Sequence, residues 1–410
     1  MDQVFDAQYH NIHDACTRRN IHIQIAYLPN GTVDYIYQVG RLLVRDDNQV
    51  TRLLEQELPG IARVDPAAEP VPEGLVLWSI ENLKRGHTEV PEALAILDGR
   101  VAPSDSRPPV VSANNVLHIT IRLCTPSEPE MPSAETTAPS PPVRTQEEAR
   151  RDVQVGICDT GLLAGVTPAA YPWMTRVDGE VDELGPMLAN GRYRIPEYKG
   201  HGAFVAGVLK CMAPAAGVYV SNPFSWSGAE LESSVILRLD QLAERTPEII
   251  NLSAGMYTRN DWPSLGFDVF HERHPDLTLV VSAGNDGTDR PFYPAWCDWA
   301  IGVGAIGADQ KQRAWFSNFG AGVNVYALGE GLVNAFATGE YVYQEPPKRP
   351  GTQVFDGLAR WSGTSFSTPL VTGLIAARMA ANPGEPAKAA AEAVLAAAED
   401  VAGVGPVLRP

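Results

Sequence analysis

Trp361-Ser362-Gly363-Thr364-Ser365-Phe366-Ser367-Thr368-Pro369 runs straight into LVTGLIAARMAAN. Small residues and a glycine precede Ser365, and a helix-spaced apolar run follows it, with Leu370, Leu374, Ala377 and Ala381 on one stripe. A serine in the first turn of a buried helix has its hydroxyl held still. The free N–H groups and the dipole there also favour negative charge developing beside it. Such a serine is a candidate nucleophile wherever a base can reach it.

Two upstream stretches offer the rest of a proton relay. Residues 153–158 (VQVGIC) form a short apolar run that reads as a buried parallel strand, and it ends in Asp159-Thr160-Gly161. His201 lies between two glycines at the start of another apolar helix. Taken singly, Asp159 is an ordinary turn residue, His201 a structural histidine and Ser365 a helix cap. Taken together they run Asp, His, Ser, one of the known triad orders. An α/β-hydrolase is excluded because its histidine follows the serine, whereas no histidine lies beyond His274. A chymotrypsin-like pair of barrels is at odds with a chain that alternates strands and helices.

ICDTGL (157–162), GHGAFVAGVL (200–209) and GTSFSTPLVTG (363–373) resemble the three active-site blocks of the subtilisin-like serine proteases. VSAGNDG (281–287) is similar to the segment carrying that family's oxyanion asparagine, and NLSAG (251–255) to the strand that pairs with bound substrate. The resemblance covers residues 152–382. It implies Ser365 as nucleophile, His201 as base and Asp159 as the group that orients the imidazole. It further implies Asn285 as oxyanion donor, Ser253, Ala254 and Gly255 beside the substrate, and Ala283 and Gly284 as wall of the first specificity pocket. Asp286, next in line, would put a carboxylate at the pocket rim and permit a basic residue before the scissile bond. Ala203 and Ser367 stand where many members have threonine and alanine, changes that leave these roles intact.

The expected fold is α/β, a mainly parallel sheet with helices on both faces, preceded by a small α+β domain. Strands are expected at 153–158, 217–221, 249–252, 277–282, 300–305 and 323–327, and helices at 202–211, 230–244, 262–274, 366–381 and 386–399. Asp159, Ser253 and Asn285 fall at or just after strand ends, where sites of parallel sheets gather. Residues 1–124 form the smaller domain, with strands at 21–25, 35–39, 74–80 and 115–124, helices at 49–58 and 91–97, and no reading for 1–20. Residues 125–150, rich in Pro, Ser, Thr and Glu, read as an extended linker. Residues 151–410 form the catalytic domain. Within it 339–358 looks like an inserted exposed loop. The N-terminal domain is either a propeptide that enters the cleft or a permanent recruiting domain on a tether. The proline density of the linker favours the tether.

The chain has 410 residues and a formal net charge of −17, with 44% hydrophobic and 20% charged residues. That charge argues against nucleic acid and anionic membrane surfaces as partners. A peptide or protein substrate is expected instead. Five cysteines without framework spacing, and no secretory signal or transmembrane run, point to the cytoplasm. No zinc cluster or calcium ligand set can be matched, so no metal or cofactor is expected. The reading is a serine endopeptidase, narrowed to a dedicated intracellular maturation or effector protease. The rival is a catalytically silent interaction module on the same scaffold.

Overall fold

The computed structural model describes residues 3–81, 83, 89–101, 109–119, 128–145, 149–245 and 247–410. Its larger part is built on a nine-stranded sheet. Six apolar runs supply the centre, in the spatial order Val325–Leu328, Ile301–Ile306, Thr278–Ser282, Ile249–Leu252, Gln154–Cys158 and Gly217–Ser221. All these neighbours pair in parallel. Val177–Gly179 closes one edge, and the hairpin of Glu399–Val401 and Gly405–Val407 closes the other.

Side chains of these strands alternate between two cores, as pleating requires. Val155, Ile157, Ile249, Val280 and Val303 join the helices His201–Met212 and Thr364–Ala381 on one face. Ile250, Leu252, Leu279 and Val281 join Glu232–Ala243 and Leu265–Arg273 on the other. Parallel strands buried on both faces carry near-continuous apolar sequence, which is why they were legible. Two helices begin later than expected. Ala229–Leu231 is a strand that precedes Glu232–Ala243. Ser264, whose hydroxyl accepts from the Phe267 amide, caps Leu265–Arg273.

Among the described residues the N-terminal part holds three helices, Gln3–Arg18, Asn48–Glu57 and Val90–Val101. Its strands Ile23–Tyr27, Val33–Arg45, Leu75–Ser79 and Val111–His118 pair antiparallel. Gln3–Arg18 occupies the stretch that had no sequence reading. Val33–Arg45 extends well beyond the expected 35–39, passing Gly40 at φ +73°. The strand expected over 115–124 falls partly on residues 120–124, outside the described residues. One face of this sheet packs on its own helices through Tyr37, Leu42, Trp78, Leu94 and Leu97. The opposite face, Leu43, Leu75 and Leu77, lies on Leu265 and Val269 of the larger part. Arg45–Glu272 (2.7 Å), Arg259–Asp98 (2.6 Å) and Arg290–Asp34 (2.5 Å) bridge the same junction.

Two expectations need correction. Residues 339–358 are not an exposed loop: they belong to the hairpin of Leu332–Val342 and Thr352–Trp361, whose Tyr341 and Phe355 are fully buried. The described part of the 125–150 linker is extended but not free. Glu130 exchanges backbone hydrogen bonds with Arg360 (2.8 and 2.7 Å), and Ser140 does so with Val333 (2.9 Å each). Glu128 is buried, its carboxylate accepting from the Tyr341 hydroxyl (3.0 Å) and the Gln344 and Glu345 amides (2.7 and 3.2 Å).

Candidate active site

Asp159 ends the strand Gln154–Cys158, and His201 is the first residue of its helix. Asp159 Oδ1 lies 2.7 Å from His201 Nδ1, with Asp159 0% and His201 2% exposed. A carboxylate only accepts, so this contact selects the Nδ1–H tautomer and leaves a lone pair on Nε2. The same Oδ1 accepts from the Thr160 amide at 2.7 Å, while Oδ2 has no hydrogen-bond partner among the described residues. Thr160 Oγ1 in turn accepts from the Gly202 amide at 2.8 Å, tying the aspartate turn to the histidine helix. A Cβ at Gly202 would run into the Thr160 carbonyl, so glycine is required there. Trp361 and Phe366 wall the imidazole at centroid distances of 5.5 and 5.0 Å.

Ser365 is the second residue of the helix Thr364–Ala381 and 3% exposed. Pro369 sits four residues later and has no N–H, so the Ser365 carbonyl loses its helical partner. The Ser253 hydroxyl replaces it, donating to the Ser365 carbonyl at 2.8 Å. The Ser365 hydroxyl donates back to the Ser253 carbonyl at 3.4 Å. Ser253 is itself held by Asn251 Nδ2 (3.0 Å), and Asn251 Oδ1 accepts from Thr372 Oγ1 (3.0 Å). The neighbouring hydroxyls have other tasks. Ser362 Oγ accepts from the Gly331 amide, and Ser367 Oγ donates to the Thr364 carbonyl.

Asn285 Oδ1 accepts from Thr364 N (2.8 Å) and Thr364 Oγ1 (3.1 Å). With its oxygen engaged at the start of the serine helix, its Nδ2 is the end left for another acceptor. Asn318 shapes this loop from behind. Its Nδ2 donates to the Ala283 carbonyl (2.9 Å), and its Oδ1 accepts from the Asp286 amide (2.9 Å). Asn318, Asn251 and Thr372 support this arrangement and are residues that the sequence reading missed. Asn251, inside the 251–255 block, and Thr372, inside the 363–373 block, carried a signal that could have found them, and Asn318 carried none.

Gly255 is already paired. It exchanges backbone hydrogen bonds with His118 of the N-terminal part (3.0 and 3.2 Å), and the Ile119 amide donates to the Gly228 carbonyl (2.9 Å). Ala229–Leu231 pairs antiparallel with 116–118 on the other side. Residues 116–119 are thus the middle strand between 228–231 and Gly255.

The subtilase family model matches residues 150–408. The extracellular serine proteinase of Thermus sp. (strain Rt41A) is 32% identical over 184 residues, 43% of this chain and 40% of its own. Subtilisin DY of Bacillus licheniformis is 26% identical over 247 residues, 57% of this chain and 79% of its own. The intracellular serine protease of Paenibacillus polymyxa is 27% identical over 267 residues, 60% and 72% of the two chains. The chain therefore spans less than half the length of the Thermus proteinase. Among solved structures, fervidolysin from Fervidobacterium pennivorans superposes with a TM-score of 0.58 at 18% identity, covering 91% of this chain and 60% of that one. The chain belongs to the subtilase family, and its fold is the subtilisin-like one.

Proposed function

We propose that this chain is a serine endopeptidase that works through Asp159, His201 and Ser365. The observation that carries the reading is the buried Asp159–His201 pair at 2.7 Å, beside a serine locked to the Ser253–Gly255 strand. Ser365 Oγ swings from the Ser253 carbonyl to His201 Nε2, loses its proton there and attacks the peptide carbonyl. His201 then passes that proton to the leaving amine, while Asp159 stabilises the imidazolium. The Ser365 amide and Asn285 Nδ2 take the developing oxyanion. This route draws on protein groups alone. A bound peptide lies along Ser253–Gly255 as an added strand.

His118 in the Gly255 pairing supports the propeptide alternative over the tether: the N-terminal part occupies its own cleft. We further propose a narrow, maturation-type substrate set, because the cleft is reached only past that segment. The free thiols Cys16, Cys158, Cys211 and Cys297 support an intracellular site.

A fluorophosphonate probe should label wild type at Ser365 and fail on Ser365→Ala. On a denaturing gel the same two proteins should differ, wild type split between residues 119 and 128 and the variant whole. Labelling that survives Ser365→Ala, or maps to Ser362 or Ser367, overturns the assignment in favour of a silent scaffold or another nucleophile. An unsplit but labelled wild type restores the tether.

A further inference from the structure

The groove for the side chain preceding the scissile bond is bounded by two backbone stretches bare of large side chains, Ser253-Ala254-Gly255 and Ala283-Gly284. Phe292 lies between them. A Cβ on Gly255 would overlap the edge of this ring, 2.7 Å from Cζ, and one on Gly284 would stand 3.0 Å from Cδ1. The ring is 5% exposed and packs edge-on against Tyr257 at 5.2 Å. Its backbone is fixed as well, because the next residue, Tyr293, exchanges both hydrogen bonds with Met256 at 2.9 Å. One rigid ring fills the volume that the small wall residues leave.

The seated segment shows which substrate side chain meets it. His118 pairs with Gly255, and its imidazole is 6.0 Å from the Phe292 ring. Alternate residues of an extended strand share a face, so in a bound peptide that continues this strand the residue two further along points to the Phe292 side. Antiparallel register sets that residue opposite Ser253, whose carbonyl receives the Ser365 hydroxyl. It is therefore the residue before the scissile bond. In this chain's sequence it is Thr120, which lies outside the described residues.

We propose that Phe292 closes the first specificity pocket, so that the enzyme cuts after small residues (Gly, Ala, Ser or Thr). The proposal rests on the endopeptidase reading above. It displaces the expectation of a basic residue there. The Asp286 carboxylate already receives the Tyr257 hydroxyl at 2.7 Å, and a long cationic side chain would have to pass the Phe292 ring to reach it. Four residues before the cut, selection is for a branched apolar side chain, because Leu117 is fully buried in the cluster that holds Val235 and Ile236.

The test uses the purified full-length chain and peptides of sequence Val-Leu-His-Ile-X-Ile-Arg, with X as Ala, Thr, Leu, Phe or Arg. Wild type should cut the Ala and Thr peptides with kcat/KM at least tenfold above the Leu, Phe and Arg peptides. Pocket fit of this kind is worth roughly 10–200-fold. Phe292→Gly should raise the Phe-to-Ala ratio of kcat/KM at least tenfold, and Phe292→Leu should fall between. If Phe292→Gly fails to fold, the wild-type series still decides. A probe-labelled wild type that cuts the Phe or Arg peptide as fast as the Ala peptide overturns the proposal while leaving proteolysis standing. A wild type that cuts no peptide and takes no fluorophosphonate overturns proteolysis, and this proposal with it.

Discussion

Acid should unseat the N-terminal segment from the cleft. His118 is 7% exposed, and burial lowers its pKa from 6.5 to about 3. Its surroundings offer little to a proton. Phe292 and Val116 are apolar, and of the charged groups on the adjoining cavity, Asp34 and Arg290 are paired with each other while Asp286 accepts from Tyr257. Once the segment leaves the cleft, the imidazole returns to its ordinary value near 6.5. The seated state therefore binds fewer protons than the released one. Its advantage is complete above pH ~6.5 and declines as pH falls from there toward ~3. At pH 5 the gap is about 1.5 units, roughly 30-fold or ~2 kcal/mol. That is a large share of what holds such a segment, given whole-domain stabilities of about 5–15 kcal/mol. Ser365→Ala keeps the chain whole for the measurement, which is amide exchange of 116–119 and 253–255 at pH 7 and pH 5, corrected for intrinsic rates. Protection should fall about 30-fold on acidification. His118→Gln, which cannot titrate, should remove that fall while leaving in place the contribution of Asp34, whose pKa is raised by burial. An unchanged pH dependence in His118→Gln refutes the argument.

Asn285→Ala should lower kcat by roughly 10²–10³ with KM nearly unchanged, since the amide's hydrogen bond matters chiefly in the transition state. Steady-state kinetics on the Ala peptide checks this, and an unchanged kcat removes Asn285 from the role. Burial, and secondarily the charge of Glu345, raises the pKa of Glu128 to about 7. Its folded state thus binds more protons than the unfolded one, and the strap loses stability as pH rises from ~4.5 through ~7. Glu128→Gln should accordingly raise Tm more at pH 8 than at pH 5. Equal shifts at both would exclude charge as the cause.

The parts of the site legible in sequence are those whose chemistry is local. Asp159-Thr160-Gly161 contains its own turn, Gly200-His201-Gly202 its own helix start, and Gly363-Thr364-Ser365 the approach to a buried helix. What stayed hidden depends on groups far apart in the chain. Pro369 looks like a helix defect until the Ser253 hydroxyl is seen donating to the carbonyl that the proline leaves open. Asn318 and Phe292 lie in unremarkable loops and acquire meaning only against Ala283, Gly284 and Gly255. Gln3–Arg18 escaped because its buried stripe mixes Phe5, Ile12 and Cys16 with Gln8, whose amide donates to the buried Glu345 at 2.8 Å.

The linker misled for a related reason. Few apolar residues and many prolines mean that a segment cannot build a core, but not that it stays free. Segment 128–145 borrows order from the hairpin beneath it. Glu130 pairs with Arg360 on one strand and Ser140 with Val333 on the other, while Lys348 and Arg360 hold the Glu130 carboxylate at 2.7 and 2.5 Å. Buried beside them, Glu128 shares its surroundings with Glu345, which also accepts from Tyr198 at 2.8 Å. The strap is thus anchored to the catalytic part, whereas 116–119 is anchored to the substrate strand. A cut anywhere between Ile119 and Glu128 would separate two segments with different holds. The strap would remain as the new N-terminus of the enzyme, and the N-terminal domain would be held by the sheet face at Leu265 and Val269, the Ala229–Leu231 pairing, the Gln8–Glu345 hydrogen bond, its ion pairs and the His118–Gly255 pairing. Of these, the last adjoins the Ser253 strand that holds Ser365 and is expected to weaken in acid. The bond most directly opposed to catalysis is therefore also the one most open to being released.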